Sequence, residues 1–145
     1  MKAKRITSLI LALALALSLC LTGCGSQGGE PAGENTGSDD AKYTVGICQL
    51  VQHDALDAAT QGFIDALNEA LPGQVKIVEK NASGDSVNCS TIVNGFVSDG
   101  VDLIMANATA ALTAAASATS DIPVLGTSIT AYGGALDMDD FNGPV

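Results

Sequence analysis

The chain has 145 residues, with 16 acidic side chains against six basic ones and a formal charge of −10. That balance argues against nucleic acid or an anionic lipid surface as a partner held by charge. The length suits one compact domain, and four cysteines with no CxxC and a single histidine offer too few ligands for a zinc site.

Met1-Lys-Ala-Lys-Arg5 is a basic start, followed from Leu9 to Leu21 by 13 residues that are apolar but for Ser18. A bilayer span needs roughly 18 or more, so the stretch reads as a secretory signal over residues 1–23. It closes with Leu21-Thr-Gly-Cys24, which resembles the lipobox of exported bacterial lipoproteins. The resemblance implies that Cys24 is lipidated, becomes the first mature residue, and anchors the protein at the extracytoplasmic face of the cell membrane. Removing the signal leaves three basic and 16 acidic residues, a charge of −13. Residues 24–41 are rich in Gly, Ser and acidic side chains and hold no large apolar one, so they read as a flexible tether reaching roughly 20–25 Å.

From residue 42 strand and helix patterns alternate. Tyr43 to Gln49 is a β-rich run, and from Asp54 apolar residues recur at helical spacing through Leu56, Phe63, Leu67 and Leu71 until Pro72-Gly73 stops them. Gln74 to Lys80 is a second strand. The loop Asn81 to Ser86 leads into a helix with Cys89, Ile92, Val93, Phe96 and Val97 inward and Gly100 as its C-cap. Asp102 to Asn107, Thr109 to Thr119 and Pro123 to Thr127 supply a strand, an Ala-rich helix and a last strand. Strand starts spaced in this way predict an α/β fold: three layers, α/β/α, around a mostly parallel sheet of flavodoxin-like order with right-handed crossovers. Cys48 and Cys89 are read as free buried thiols, with pairing in an exported protein as the alternative.

In such sheets ligands bind at the carboxyl ends of the strands. The loops there are Leu50 to Asp54, Asn81 to Ser86, Asn107 to Ala110 and Ser128 to Gly134. They bring hydroxyls, amides, carboxylates and helix N-termini to one crevice, suiting a small ligand that bears a carboxylate. Bland roles compete: His53-Asp54 as an N-cap pair with Asp54 accepting from Asp57, Asn81 and Asp85 as turn formers, Thr109 as a cap.

VGICQLVQHDALDAATQGFIDAL, NASGDSVNCSTIVNGFVSDGVDLIMANATAAL and DIPVLGTSITAYGGAL together resemble the first lobe of ABC-transporter substrate-binding proteins of the tryptophan/tyrosine type, a branch of the type I periplasmic-binding fold. The resemblance covers nearly all of residues 43–142. It implies that residues 42–145 form the N-terminal lobe of a two-lobed receptor, and that a small ligand, tryptophan or tyrosine, is delivered to an ABC permease and ATPase without covalent chemistry or a cofactor. Gln49, His53, Asp54, Asn81, Asp85, Thr109, Thr127, Thr130 and Tyr132 are the ligand contacts it implies. Where the family continues His-Pro and Thr-Asp-Pro, this chain has His53-Asp54 and Thr130-Ala131-Tyr132, which removes a carboxylate and adds a ring that could stack on a ligand.

Enzyme readings find little. QLVQHDAL has neither a hydroxyl-rich phosphate loop nor GxGxxG, and His53 has no evident nucleophile to activate. Asp137-Met-Asp-Asp140 lacks the alternating oxygen ligands of a calcium loop. A surface-anchored sensory ligand-binding domain is the alternative to transport.

Overall fold

The computed structural model describes residues 35–36 and 40–138; Cys24, the signal and most of the tether lie outside them. Strands β1 (Asn35–Thr36), β2 (Tyr43–Gln49), β3 (Val75–Asn81), β4 (Leu103–Asn107) and β5 (Val124–Thr127) form one sheet in the order β1-β3-β2-β4-β5. Helices α1 (Asp54–Ala70), α2 (Ser86–Asp99) and α3 (Thr109–Ala118) connect β2 to β3, β3 to β4 and β4 to β5, and α4 (Tyr132–Ala135) follows β5. The pairings β2–β3, β2–β4 and β4–β5 are all parallel, which is the expected flavodoxin-like order. The expected element bounds hold to within one or two residues.

Two features depart from the sequence reading. Asn35 and Thr36, placed in the tether, instead pair antiparallel with Val78 and Ile77, covering part of the exposed edge of β3. The loop after β5 contains one helical turn, α4. It is held by the Tyr132 hydroxyl donating to the Gly126 carbonyl at 2.7 Å and by Thr113 donating to the Ala135 carbonyl at 3.1 Å.

The period of two along each strand divides the core. Val45, Ile47, Val75, Ile77 and Met105 face α1, where Phe63, Ile64 and Leu67 pack on them. Cys48, Ile104 and Ala106 face the other way, against Cys89, Val93 and Phe96 of α2 and Ala111, Leu112 and Ala115 of α3. The α2 face is the tighter one. Gly100 ends α2 in the left-handed conformation (φ 66°, ψ 44°), and its N–H returns to the carbonyls of Phe96 and Val97. At the amino ends, Thr44 N–H donates to the Asp102 carboxylate and Asp102 N–H to the Thr44 carbonyl, each at 2.8 Å, which aligns the starts of β2 and β4.

Glycine is needed at position 46 for space. A Cβ there would lie 2.7 Å from two ring carbons of Phe96, which is 3% exposed. Gly46→Ala should therefore lower stability by about 1–3 kcal/mol, because a buried ring must leave its rotamer or the helix must lift. Chemical denaturation followed by circular dichroism measures this, and an unchanged midpoint would contradict the packing described.

Candidate functional site

The four parallel strands end on one rung. Asn81 is in register with Gln49, Gln49 with Asn107, and Asn107 with Thr127, so four polar residues cross the carboxyl edge of the sheet in the order β3-β2-β4-β5. At ~4.8 Å between strands the row is roughly 15 Å long. Three of the four are residues expected at the site; Asn107 is not.

The centre of the row is a buried hydrogen-bond cluster, which corrects the role expected for Gln49. Gln49 is 2% exposed and its amide is fully engaged. It donates to the Val51 carbonyl at 3.0 Å and to Asp57 at 2.5 Å, and its Oε1 accepts from the Thr60 hydroxyl at 2.6 Å. Asn107 Nδ2 donates to the Leu56 carbonyl at 2.8 Å and to Thr60 Oγ1 at 2.9 Å, with a longer approach of 3.4 Å to Gln49 Oε1. Odd positions of β2 and β4 face α1, so this side chain anchors the helix to the strand ends. Thr60 and Asp57 escaped the sequence reading. Thr60 did leave a signal: it is the one polar residue in the 56–60–63–67 stripe of α1.

The loops over the row are joined by backbone bonds. Leu50 N–H donates to the Asn107 carbonyl (3.1 Å), Ala82 to Gln49 (2.9 Å), Gly84 to Leu50 (2.7 Å) and Ala108 to Thr127 (3.0 Å). The remaining expected residues divide by use. His53, not Asp54, is the N-cap of α1: its extended backbone lets Nδ1 accept from Ala55 N–H at 3.2 Å, and Asp54 is an exposed first-turn residue. Asn81 Oδ1 accepts from Ser83 N–H at 2.8 Å, closing an Asx turn, and Asp85 Oδ1 caps α2 through Val87 N–H at 2.7 Å. Thr130 is exposed and Thr127 half-buried. Tyr132, expected to stack on a ligand, is pinned through its hydroxyl to Gly126, and its ring lies where a Cβ on Gly126 would be only 2.9 Å away.

Helix α3 differs from the other two that open on the crevice. Its N-cap is Ala108, not Thr109, and no side chain caps it. Ala108 also has φ 92° and ψ 158°, a region almost confined to glycine and costing about 1–3 kcal/mol. Next to it, Asn107 Oδ1 is buried with no hydrogen-bond partner. An unmatched buried acceptor costs on the order of 1–3 kcal/mol. Ser83 and Ser128, in the neighbouring loops, also have positive φ. Three unfavourable features, an orphan acceptor, a strained residue and an uncapped helix, thus fall within residues 107–109.

Ala108→Gly should raise stability by roughly 1 kcal/mol, because relief of the strained φ exceeds the entropy cost of glycine. Ala108→Val should lower it by more than about 2 kcal/mol. Thermal unfolding of the two variants should bracket the parent; the same order reversed would remove the strain from the account.

A family model described as ABC transporter substrate binding protein matches residues 44–145. The tyrosine-binding protein of Clostridioides difficile is 42% identical over 134 residues, which is 90% of this chain and 39% of that protein. A substrate-binding protein with adhesive properties from Clostridium difficile, solved ligand-free and open, has a TM-score of 0.62 and 38% identity over 64% of this chain and 32% of its own. An ABC domain from Streptococcus pneumonia, solved in complex with L-Trp, has a TM-score of 0.62 and 37% identity over 66% of this chain and 33% of its own. The chain therefore spans about two fifths of the curated relative and one third of these solved structures.

Proposed function

The chain belongs to the family of ABC transporter substrate binding proteins, and from that premise we propose that it captures an aromatic amino acid outside the membrane and delivers it to an ABC permease and ATPase. The observation that carries this reading is the uncapped start of α3 at Ala108 and Thr109. Helices α1 and α2 satisfy first-turn N–H groups with His53 and Asp85, whereas no side chain caps the start of α3. A ligand carboxylate gains most at such a helix start. The two relatives that bind tyrosine and L-Trp give the side chain its class.

The chemistry of the crevice favours binding without reaction. The Nδ1 of His53 is committed to the cap of α1, and the Cys48 thiol is buried away from the crevice with burial raising it far above its ordinary range, so neither supplies an activated group there. In this reading the lipid at Cys24 holds the protein at the membrane and residues 24–41 let the lobe stand off it, with a second lobe closing over the ligand. Closure then reports occupancy, since a ligand shifts that equilibrium only by its preference for the closed form.

Titration calorimetry with L-tyrosine and L-tryptophan tests the cleft. If the two-lobed protein binds at about 1 μM, worth about −8 kcal/mol, one lobe with half of the contacts should bind near 1 mM. Micromolar binding by the 145-residue chain would place a whole pocket in this lobe and remove the cleft. The anchor has its own test: metabolic labelling with a palmitate analogue in a bacterial host should mark the parent and not Cys24→Ala, and equal labelling of both would exclude lipidation at that residue.

A further inference from the structure

Cys48 and Cys89 are both fully buried and unbridged, and neither reaches the crevice. Packing sets them side by side. Helix α2 runs back along β2, and the Phe96 ring lies flat on Gly46, which fixes the register of the two elements. From that contact, two residues up the strand is Cys48, the next side chain on the same face. Positions 93 and 89 lie on the same stripe of the helix, one and two turns back. Both cysteines belong to the one buried cluster on this face.

We propose that Cys48 and Cys89 form a disulfide site that closes while the chain folds and is sealed once it has folded. Exchange needs a thiolate. In the folded lobe burial raises both thiols above their ordinary range, so the reduced pair is protected; in the open chain they have no such protection. The oxidant is a small-molecule disulfide. One cysteine thiolate attacks it, forming a mixed disulfide and releasing one small thiol. The second cysteine thiolate then displaces the other. Two S–H bonds lose two protons and two electrons, one protein S–S bond forms, and the oxidant is reduced to two thiols. The cross-link would tie the residue before Gln49 to the first turn of α2, four residues after its cap Asp85, and so brace the β2 and β3 loops of the crevice. An exported location would supply the oxidising setting, but the chemistry does not depend on that reading.

The test uses the full chain carrying Cys20→Ser and Cys24→Ser, so that the two cysteines in question are the only thiols. Reduced protein is refolded from denaturant in a buffer of oxidised and reduced glutathione, and folded reduced protein is exposed to the same buffer. Trypsin cuts after Lys42, Lys76 and Lys80, placing the two cysteines on separate peptides. Refolding should give the two peptides linked, about 2 Da lighter than their sum. The linked protein should melt at least about 5 °C above the reduced form. Folded protein should form the link at least about 100-fold more slowly. Absence of the linked peptides after refolding, a lower melting temperature when linked, or equally fast oxidation of the folded protein would each overturn the proposal.

Discussion

The hydroxyl of Thr60 meets Oε1 of Gln49 at 2.6 Å inside the sheet–helix interface, and the placement of α1 follows from that contact. The apolar packing of this helix is thin: Phe63, Ile64 and Leu67 are only half-buried, and Thr60 is the helix's one fully buried residue. Apolar contact is nondirectional and would tolerate a helix rotated or slid by part of a turn. A buried amide and hydroxyl tolerate neither, because each unmade bond costs on the order of 1–3 kcal/mol. Gln49, Thr60, Asn107 and Asp57 therefore fix both the rotation and the height of α1, and with them the position of His53 and Asp54 at the rim.

The opposite face reaches the same precision by shape. Phe96 lies on Gly46 and Tyr132 on Gly126, so in two places an aromatic ring occupies the space that a strand side chain would fill. Large-against-small packing of this kind specifies one register, since sliding the helix by a residue would drive the ring into a neighbouring side chain. The sheet is thus held by directional polar contacts on one side and by steric fit on the other. Its four parallel strands end on a common rung because both sides agree on the height.

The alternation of strands and helices, their order in the sheet and the inward face of α2 were all legible in the sequence, because hydrophobic period and the signals Pro72-Gly73 and Gly100 act locally. The site was legible only by address. Knowing that ligands meet the carboxyl ends of strands named the loops that lie over the row of strand ends, but it could not tell a side chain that points outward from one that points back under them. Gln49 is the instructive case: the period of two that makes Val45 and Ile47 core residues also turns Gln49 inward, and its partner Thr60 is 11 residues away on another element. The cap of α1 fell on His53 and not Asp54 because backbone dihedrals choose the N-cap, and composition does not reveal them. Asn35–Thr36 escaped notice because a two-residue ladder needs the edge of β3 and has no period of its own.

Capping explains how one lobe can be both stable and receptive. A helix start left open costs stability, and α1 and α2 avoid that cost with side chains drawn from the crevice loops themselves. Those loops are ordered by the same bonds, which engage one atom each of His53, Asn81 and Asp85. Helix α3 follows the opposite course. A side-chain cap requires a short polar residue with extended backbone, and position 108 has alanine at positive φ, so the N–H groups of the first turn stay available. The strain at Ala108 accompanies that arrangement, on the order of 1–3 kcal/mol. The buried cluster around Thr60 is what lets the lobe tolerate that cost, because it holds the end of β4 in place through Asn107.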